Sequence, residues 1–202
     1  MIVEPEKKHP SLTRDHILQA TATLVLAEGP SALTLEAAAK ASGISKGGLL
    51  YHFPSKEALI LGMIDAHHEG YKAVIHSEKV RLPHPDAPGA YHQALINAGL
   101  KIFVACSDHA PGMLALVAQD QAAIARIQQA VLETQSMCDR DGLPKSLSNL
   151  ILSALDGVKM RQVIGLPLPS GAEIEEFHDL LFKLIDQAVQ STAQPSNSRE
   201  SA

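Results

Sequence analysis

The residues best suited to chemistry lie in one stretch, residues 34–53, with the sequence TLEAAAKASGISKGGLLYHF. Polar side chains and two adjacent glycines crowd a short predicted helix that Ser45 begins. Each helical glycine costs about 1 kcal/mol relative to alanine, so a helix built only for packing would not carry Gly47 and Gly48. At a helix N-terminus they let the backbone approach phosphates or base edges, and the free amides favour anions. This pattern indicates non-covalent contact with a nucleic acid.

Neighbouring side chains extend this interpretation. Tyr51 and His52 can donate hydrogen bonds to phosphate oxygens, and Leu50 can contact a thymine methyl group. Lys56 begins the next predicted helix, within reach of a DNA backbone. The predicted DNA-contacting residues are Thr34, Ser45, Lys46, Gly47, Gly48, Leu50, Tyr51, His52 and Lys56.

A helix-turn-helix would position these groups. Two helices that cross steeply need a small residue at the crossing, which Ala39 supplies, and a turn residue that tolerates positive φ, which Gly43 supplies. Apolar Ile44 and Leu49 would then fix the second helix to the core. The alternative is an ordinary αα-hairpin, which can share the Ala-x-x-x-Gly spacing.

Residues 13–61 resemble the N-terminal domain of the TetR family of bacterial regulators. The run GISKGGLLYHFPSKEAL at residues 43–59 is very similar to the family's signature. The resemblance implies that Thr34, Ser45, Lys46, Gly48, Leu50, Tyr51, His52 and Lys56 occupy DNA-contacting positions. Many members carry Thr in place of Gly48 and Tyr in place of Leu50, so those two side-chain contacts do not carry over. Beyond residue 61 the resemblance is one of architecture only.

Composition predicts an all-α fold. The chain is 46% hydrophobic but only 3% aromatic, and Ala and Leu, both strong helix formers, dominate. We expect about nine helices: a three-helix DNA-binding domain over residues 1–54, a helical effector-binding and dimerisation domain over residues 55–194, and a disordered tail over residues 195–202. The net charge of −5 lies entirely behind residue 60, because residues 1–60 hold six basic and six acidic groups.

Local signals set the helix boundaries. We predict helices over about 11–28, 35–42, 46–53, 55–80, 89–106, 120–139 and 145–166, with a further short helix after Pro111. Ser170 and Glu173 form a capping box for the last helix. No signal peptide is recognisable, and no apolar run approaches the roughly 20 residues of a membrane span.

The last two predicted helices have faces suited to another chain. The final helix carries an apolar seam, and the helix after Pro144 is apolar on more than one side, as a helix buried on two sides would be. The family resemblance implies a four-helix bundle between two copies, whereas the alternative is one large monomeric core. The predicted interface residues are Leu147, Ile151, Ala154, Val158, Ile174, Phe177, Leu181, Leu184 and Ala188.

The resemblance also implies a ligand pocket in the helical body. Candidate effector-binding residues are His67, His68, Tyr71, Asn97, Phe103, Met113 and Asp156, although each could instead be an ordinary core or surface residue. Asp156 lies in an apolar stretch, so it must be paired, exposed or waiting for a cation, which suggests an apolar and possibly cationic effector. No cofactor or metal is expected, because neither the histidines nor Cys106 and Cys138 have metal-ligand spacing.

These observations predict a cytoplasmic, homodimeric, DNA-binding transcriptional regulator. We expect a repressor that a small molecule releases from a palindromic operator. The alternative is a helical ligand-binding protein that keeps the fold without sequence-specific DNA recognition. An enzyme using a His/Asp pair finds no support, because no nucleophile motif or glycine-rich phosphate loop occurs in the sequence.

Overall fold

The computed structural model describes residues 10–105 and 120–193, with side chains over residues 13–101 and 120–192. Within these ranges the chain forms eight α-helices and one 3-10 turn (Pro30–Ala32), and no strand. The helices are α1 (Pro10–Glu28), α2 (Leu35–Ala41), α3 (Lys46–His52), α4 (Lys56–Arg81), α5 (Ala90–Ala105), α6 (Gln121–Asp139), α7 (Lys145–Val163) and α8 (Gly171–Ala193). The all-α prediction is confirmed. The short helix predicted after Pro111 and the tail over residues 195–202 lie outside the described residues.

Side-chain caps begin the helices where the sequence predicts them. Thr34 Oγ1 accepts from the Ala37 amide at 3.0 Å before α2. Ser45 Oγ accepts from the Gly48 amide at 3.1 Å before α3. Each cap satisfies an amide that has no partner within its helix and stabilises the helix by about 1 kcal/mol.

The predicted capping box at the start of α8 is also present. The Ser170 amide donates to Glu173 Oε2 at 2.7 Å, and the Glu173 amide donates to Ser170 Oγ at 3.3 Å. The Ser170 hydroxyl also donates to Glu173 Oε2, at 2.8 Å. The bonds that the Ser170 amide and hydroxyl donate hold the pKa of the Glu173 carboxyl below its usual value.

By its contacts the chain divides into two compact units. Among the described residues, the first unit comprises residues 10–69 and 120–128, and the second comprises residues 70–105 and 129–193. The division falls within α4 and α6, so each of these helices contributes one part to each unit. The domain boundary expected at residue 54 stays a prediction.

The core of the first unit joins α1, α2, α3 and the start of α4. Its largest fully buried side chains include Ile17, Leu33, Leu49 and Phe53, and each contributes about 1.5–3 kcal/mol of burial free energy. Gly62 on α4 permits the closest approach, because a Cβ there would lie 2.6 Å from Phe53 Cε1. The end of α3 is therefore held against α4 by a contact that no larger residue at position 62 would allow.

The core of the second unit is built from α5, α7 and α8, with the distal part of α4. Its buried members include Leu95, Ile96, Ile151 and Ile185. Glu78 on α4 is buried beside two cations, with its Oε1 accepting from Lys101 Nζ and Arg81 Nη1, both at 2.8 Å. None of the described helices combines the length and the apolar character that a membrane crossing requires.

Candidate DNA-binding interface

The turn between α2 and α3 has the geometry of a helix-turn-helix. Gly43 has φ +65°, in the left-handed region that favours glycine, as predicted. The Ile44 amide donates to the Ala39 carbonyl at 3.1 Å across the turn, and Ala39 is buried. A larger side chain at position 39 would separate the two helices, so the small residue and the glycine together set the crossing.

One face of α3 is anchored and the other is open. Leu49 and Phe53 are fully buried, while Ile44 packs partly against the same core. On the open face, Tyr51 is 80% exposed and Leu50 is exposed as well. The core thus fixes the backbone of α3, while the side chains of Leu50 and Tyr51 remain exposed to solvent.

All nine predicted DNA-contacting residues lie on the first unit. Those exposed to solvent are Thr34, Ser45, Lys46, Gly47, Leu50 and Tyr51. Those half-buried are Gly48, His52 and Lys56. Their contact with DNA stays a prediction, but none of them is buried in the core.

The two glycines of α3 differ in what surrounds them. A Cβ on Gly48 would lie 3.3 Å from Ser45 Oγ, close to the cap that begins the helix. A Cβ on Gly47 would meet nothing within 4 Å. The described residues therefore give no packing reason for glycine at position 47, and its predicted close approach to DNA stays a prediction.

Glu36 belongs to this surface and was missed by the sequence reasoning. Its carboxylate accepts a hydrogen bond from Lys46 Nζ, which joins the first turn of α2 to the first residue of α3. That bond is the main cause of the lowered pKa of Glu36. The two residues are ten positions apart, across the turn, so no helical spacing rule could have paired them.

The predicted effector residues that the structure describes are divided between the two units. His67 and His68 belong to the first unit, whereas Tyr71 and Asn97 belong to the second. The Tyr71 hydroxyl is buried without a hydrogen-bond partner among the described residues, and burial raises the pKa of Tyr71. The side chain of Phe103 and all of Met113 lie outside the described part of the chain.

Asp156 is not in an apolar pocket. Its side chain is 67% exposed, and Oδ1 lies 3.5 Å from Lys159 Nζ one turn further along α7. Of the three alternatives raised by the sequence, the structure shows a carboxylate that is exposed and paired. Its role in effector binding stays a prediction, but the argument for a cationic effector is lost. Lys159 Nζ also lies 5.3 Å from the centre of the Tyr71 ring.

Other polar groups of the second unit line a surface groove. Asn97 Oδ1 lies 3.0 Å from His178 Nε2, and the His178 ring stacks on Phe182. Beside His178 is a groove of about 390 Å³, also lined by Leu100, Ile174, Glu175 and Asp179. Among the described residues no three His, Cys, Asp or Glu side chains are grouped to hold a metal ion.

The predicted interface residues divide by burial. Ile151 and Leu181 are buried in the core of a single protomer. They could therefore support an interface only by packing beneath the residues that contact the partner. Half-buried are Leu147, Ala154, Val158, Ile174, Phe177, Leu184 and Ala188. The most exposed apolar side chains of α7 and α8 are Leu150, Met160 and Leu180, which the sequence reasoning left out of the interface.

A buried chain of polar groups also escaped the sequence reasoning. His92 Nδ1 lies 2.7 Å from Asp141 Oδ2, and His92 Nε2 lies 2.8 Å from Ser148 Oγ. The Asp141 carboxylate also accepts from the amides of Tyr91 and His92, both at 2.9 Å, and so caps α5. The order Ser–His–Asp resembles a hydrolytic triad, but all three side chains are buried, so the Ser148 hydroxyl is closed to any substrate in this conformation.

Cys138 lies in the same unit and is also buried. Burial raises the pKa of its thiol to about 12, with the Asp141 carboxylate as a smaller cause. Cys106 lies outside the described residues.

An exposed recognition helix on a rigid helix-turn-helix, followed by a helical body, defines a DNA-binding transcriptional regulator. Residues 17–63 match the family described as bacterial regulatory proteins, tetR family, and residues 89–186 match the tetracyclin repressor-like C-terminal domain. Together these matches cover more than half of the chain, so the protein belongs to the TetR family. No curated protein matches it.

Solved structures share this fold at low sequence identity. A TetR transcription regulator from Haloarcula marismortui has a TM-score of 0.68 at 19% identity, covering 88% of this chain and 98% of its own. The fatty acid degradation regulator FadR from Bacillus halodurans has a TM-score of 0.61 at 20% identity, covering 87% and 96%. The multidrug binding protein EbrR, complexed with ethidium, has a TM-score of 0.63 at 18% identity, covering 88% and 100%.

Proposed function

We propose that this regulator is a repressor that binds a near-palindromic operator as a homodimer and leaves it when a small molecule binds the helical body. The observation that carries the DNA-binding part is the surface of α3. Lys46, Gly47 and Tyr51 are exposed on a helix whose other face is fixed by Leu49 and Phe53. A helix held this rigidly loses little further entropy when it enters the major groove.

Dimerisation is supported by apolar exposure on α7 and α8. Leu150, Met160 and Leu180 each leave about half of their side-chain surface in contact with solvent. Half-buried Phe177 and Leu184 lie on the same helix as Leu180. A two-fold dimer would bury this surface and place two copies of α3 about 34–36 Å apart or a multiple of that, so the operator should be a near-palindrome.

The effector we propose is small, largely apolar and able to accept a hydrogen bond. Tyr71 supports the last property, because its buried hydroxyl has no hydrogen-bond partner in the described part of the chain. A buried donor without a partner costs about 1–3 kcal/mol, which a ligand acceptor would recover. Small-molecule ligands are also named for one structural neighbour, the multidrug binding protein EbrR, which was solved with ethidium and with malachite green.

Two other functions are less well supported. A ligand-binding protein without DNA recognition would have no need for the open face of α3. An enzyme that used Ser148, which is paired with His92 and through it with Asp141, would need access to its hydroxyl, and that hydroxyl is buried. We therefore propose a regulator without catalytic activity that acts in the cytoplasm, where bacterial DNA is found.

The test is selection of genomic fragments by the full-length protein, followed by footprinting of the strongest fragment. We expect a protected near-palindrome. Tyr51→Ala is the matched variant, because Tyr51 is exposed and its loss should weaken selection without unfolding the chain. A single asymmetric protected site would contradict the dimeric arrangement, and equal selection of all fragments would contradict sequence-specific recognition.

A further inference from the structure

One acidic side chain lies where a DNA-binding surface should not have one. Glu36 lies in the first turn of α2, two residues after the Thr34 cap, and bonds to Lys46, the first residue of α3. Both side chains are mostly exposed, 65% for Glu36 and 56% for Lys46. The pair therefore occupies the edge of the proposed DNA interface, and a carboxylate there would be repelled by phosphates.

Folding stability does not explain the pair. Exposed ion pairs stabilise proteins by only about 0–1 kcal/mol. Glu36 also gains from the N-terminal dipole of α2, but that gain requires no lysine and is similarly small. What the pair does change is the charge that DNA meets, because it neutralises one of the few lysines on this surface.

From this placement we infer that Glu36 is a specificity-determining residue that holds Lys46 away from phosphates in sequence-independent complexes. The inference rests on the proposed use of α2 and α3 in DNA binding. On random DNA, Lys46 stays with Glu36 and releases no counterion. On the operator, base-edge contacts by the rest of α3 fix the helix in the groove, and Lys46 transfers from Glu36 to a phosphate. The carboxylate thus weakens binding to the wrong DNA more than to the right DNA.

The salt dependence of binding distinguishes a Lys46 that stays with Glu36 from a Lys46 that contacts a phosphate. Each phosphate that a lysine neutralises adds about 0.9 to the slope of log K against log salt. Glu36→Gln keeps the size of the side chain but releases Lys46. We therefore expect the slope on random-sequence duplex to steepen by about one unit and the affinity for it at 0.1 M salt to rise about fivefold to tenfold. The slope on the strongest selected genomic fragment should stay the same, so its preference over random duplex should fall.

Two controls separate this mechanism from a general effect of charge. Glu28→Gln removes the same charge from an exposed position at the end of α1 and should leave the preference unchanged. In a Lys46→Met background, Glu36→Gln should have little further effect on either slope, because the two residues act as a pair. All variants are measured as full-length protein by fluorescence anisotropy at four salt concentrations.

The results of these measurements either support or contradict the role inferred for Glu36. An unchanged slope of Glu36→Gln on random duplex, or an equal effect of Glu28→Gln, would overturn the inference. A full effect of Glu36→Gln in the Lys46→Met background would overturn it too. Wild-type protein that binds the selected fragment no better than random duplex would instead contradict the proposed function, whatever the variants do.

Discussion

The α2–α3 surface of the first unit and the Asp141–His92–Ser148 chain of the second unit both contain a serine and a histidine, but in opposite environments. On α3, the cap Ser45 and the half-buried His52 stand at the edge of an open face. In the second unit, Ser148 and His92 are buried and bonded to each other. Residue type therefore does not identify a functional site in this molecule. What distinguishes the proposed DNA-binding surface from the buried chain is access to solvent.

The two regions should also differ in what a substitution changes, which is stability in the buried chain and DNA binding on the open face. Removing a group from the buried chain leaves its neighbours without partners in a medium of low dielectric, so stability suffers. Removing a group from the open face leaves only water to replace it, so stability changes little while DNA binding suffers. Substitutions in matched pairs test this contrast.

The largest contrast should come from two adjacent leucines on α8. Leu181 is 3% exposed and Leu180 is 54% exposed. Leu181→Glu would place an unpaired charge in the protomer core and should cost about 4 kcal/mol or more, enough to unfold much of the protein. Leu180→Glu should remain folded by circular dichroism and sediment as a monomer. If Leu180→Glu stays a dimer, the exposed surface of α8 is not the interface.

A second contrast compares two histidines. His92→Ala would leave Asp141 and Ser148 without their shared partner and open a cavity, so the free energy of unfolding should fall by about 3 kcal/mol. His52→Ala, on the partly open end of α3, should lower it by less than about 1 kcal/mol. Urea denaturation measures both. Similar losses would show that the buried chain contributes no more to stability than a surface residue does.

The smallest expected effect is electrostatic. Lys56 begins α4 beside the proposed DNA surface, and Lys56→Ala should weaken binding evenly across sequences and lower the salt slope by about one unit. Lys72→Ala removes the same charge from the second unit and serves as the control. A changed sequence preference with an unchanged slope would place Lys56 at a base edge, in conflict with the phosphate contact proposed here.

Much of the fold could be predicted because its determinants are local. Ser45, Thr34 and Ser170 cap amides three residues away, and Gly43 adopts the positive φ that its position in the turn requires. Such effects depend on neighbouring residues alone. The surface position of the predicted DNA-contacting residues follows from the same local geometry.

What escaped prediction depends on contacts distant in sequence. Asp141 and His92 are 49 residues apart and meet only once the turn after α6 has packed against the start of α5. The predicted interface depends on contacts of the same kind: periodicity shows that α8 has an apolar seam but not which member faces the protomer's own core. Leu180 and Leu181 are neighbours in sequence, and only the packed structure separates them.

The buried thiol of Cys138 provides a built-in probe of how often the second unit opens. Alkylating reagents attack the thiolate, and at neutral pH a thiol with a pKa of about 12 is almost never in that form. Cys138 can react at an ordinary rate only in moments when α6 has parted from the core of the second unit. The alkylation rate of Cys138 therefore reports how often these openings occur. An effector bound in the helical body should lower that rate.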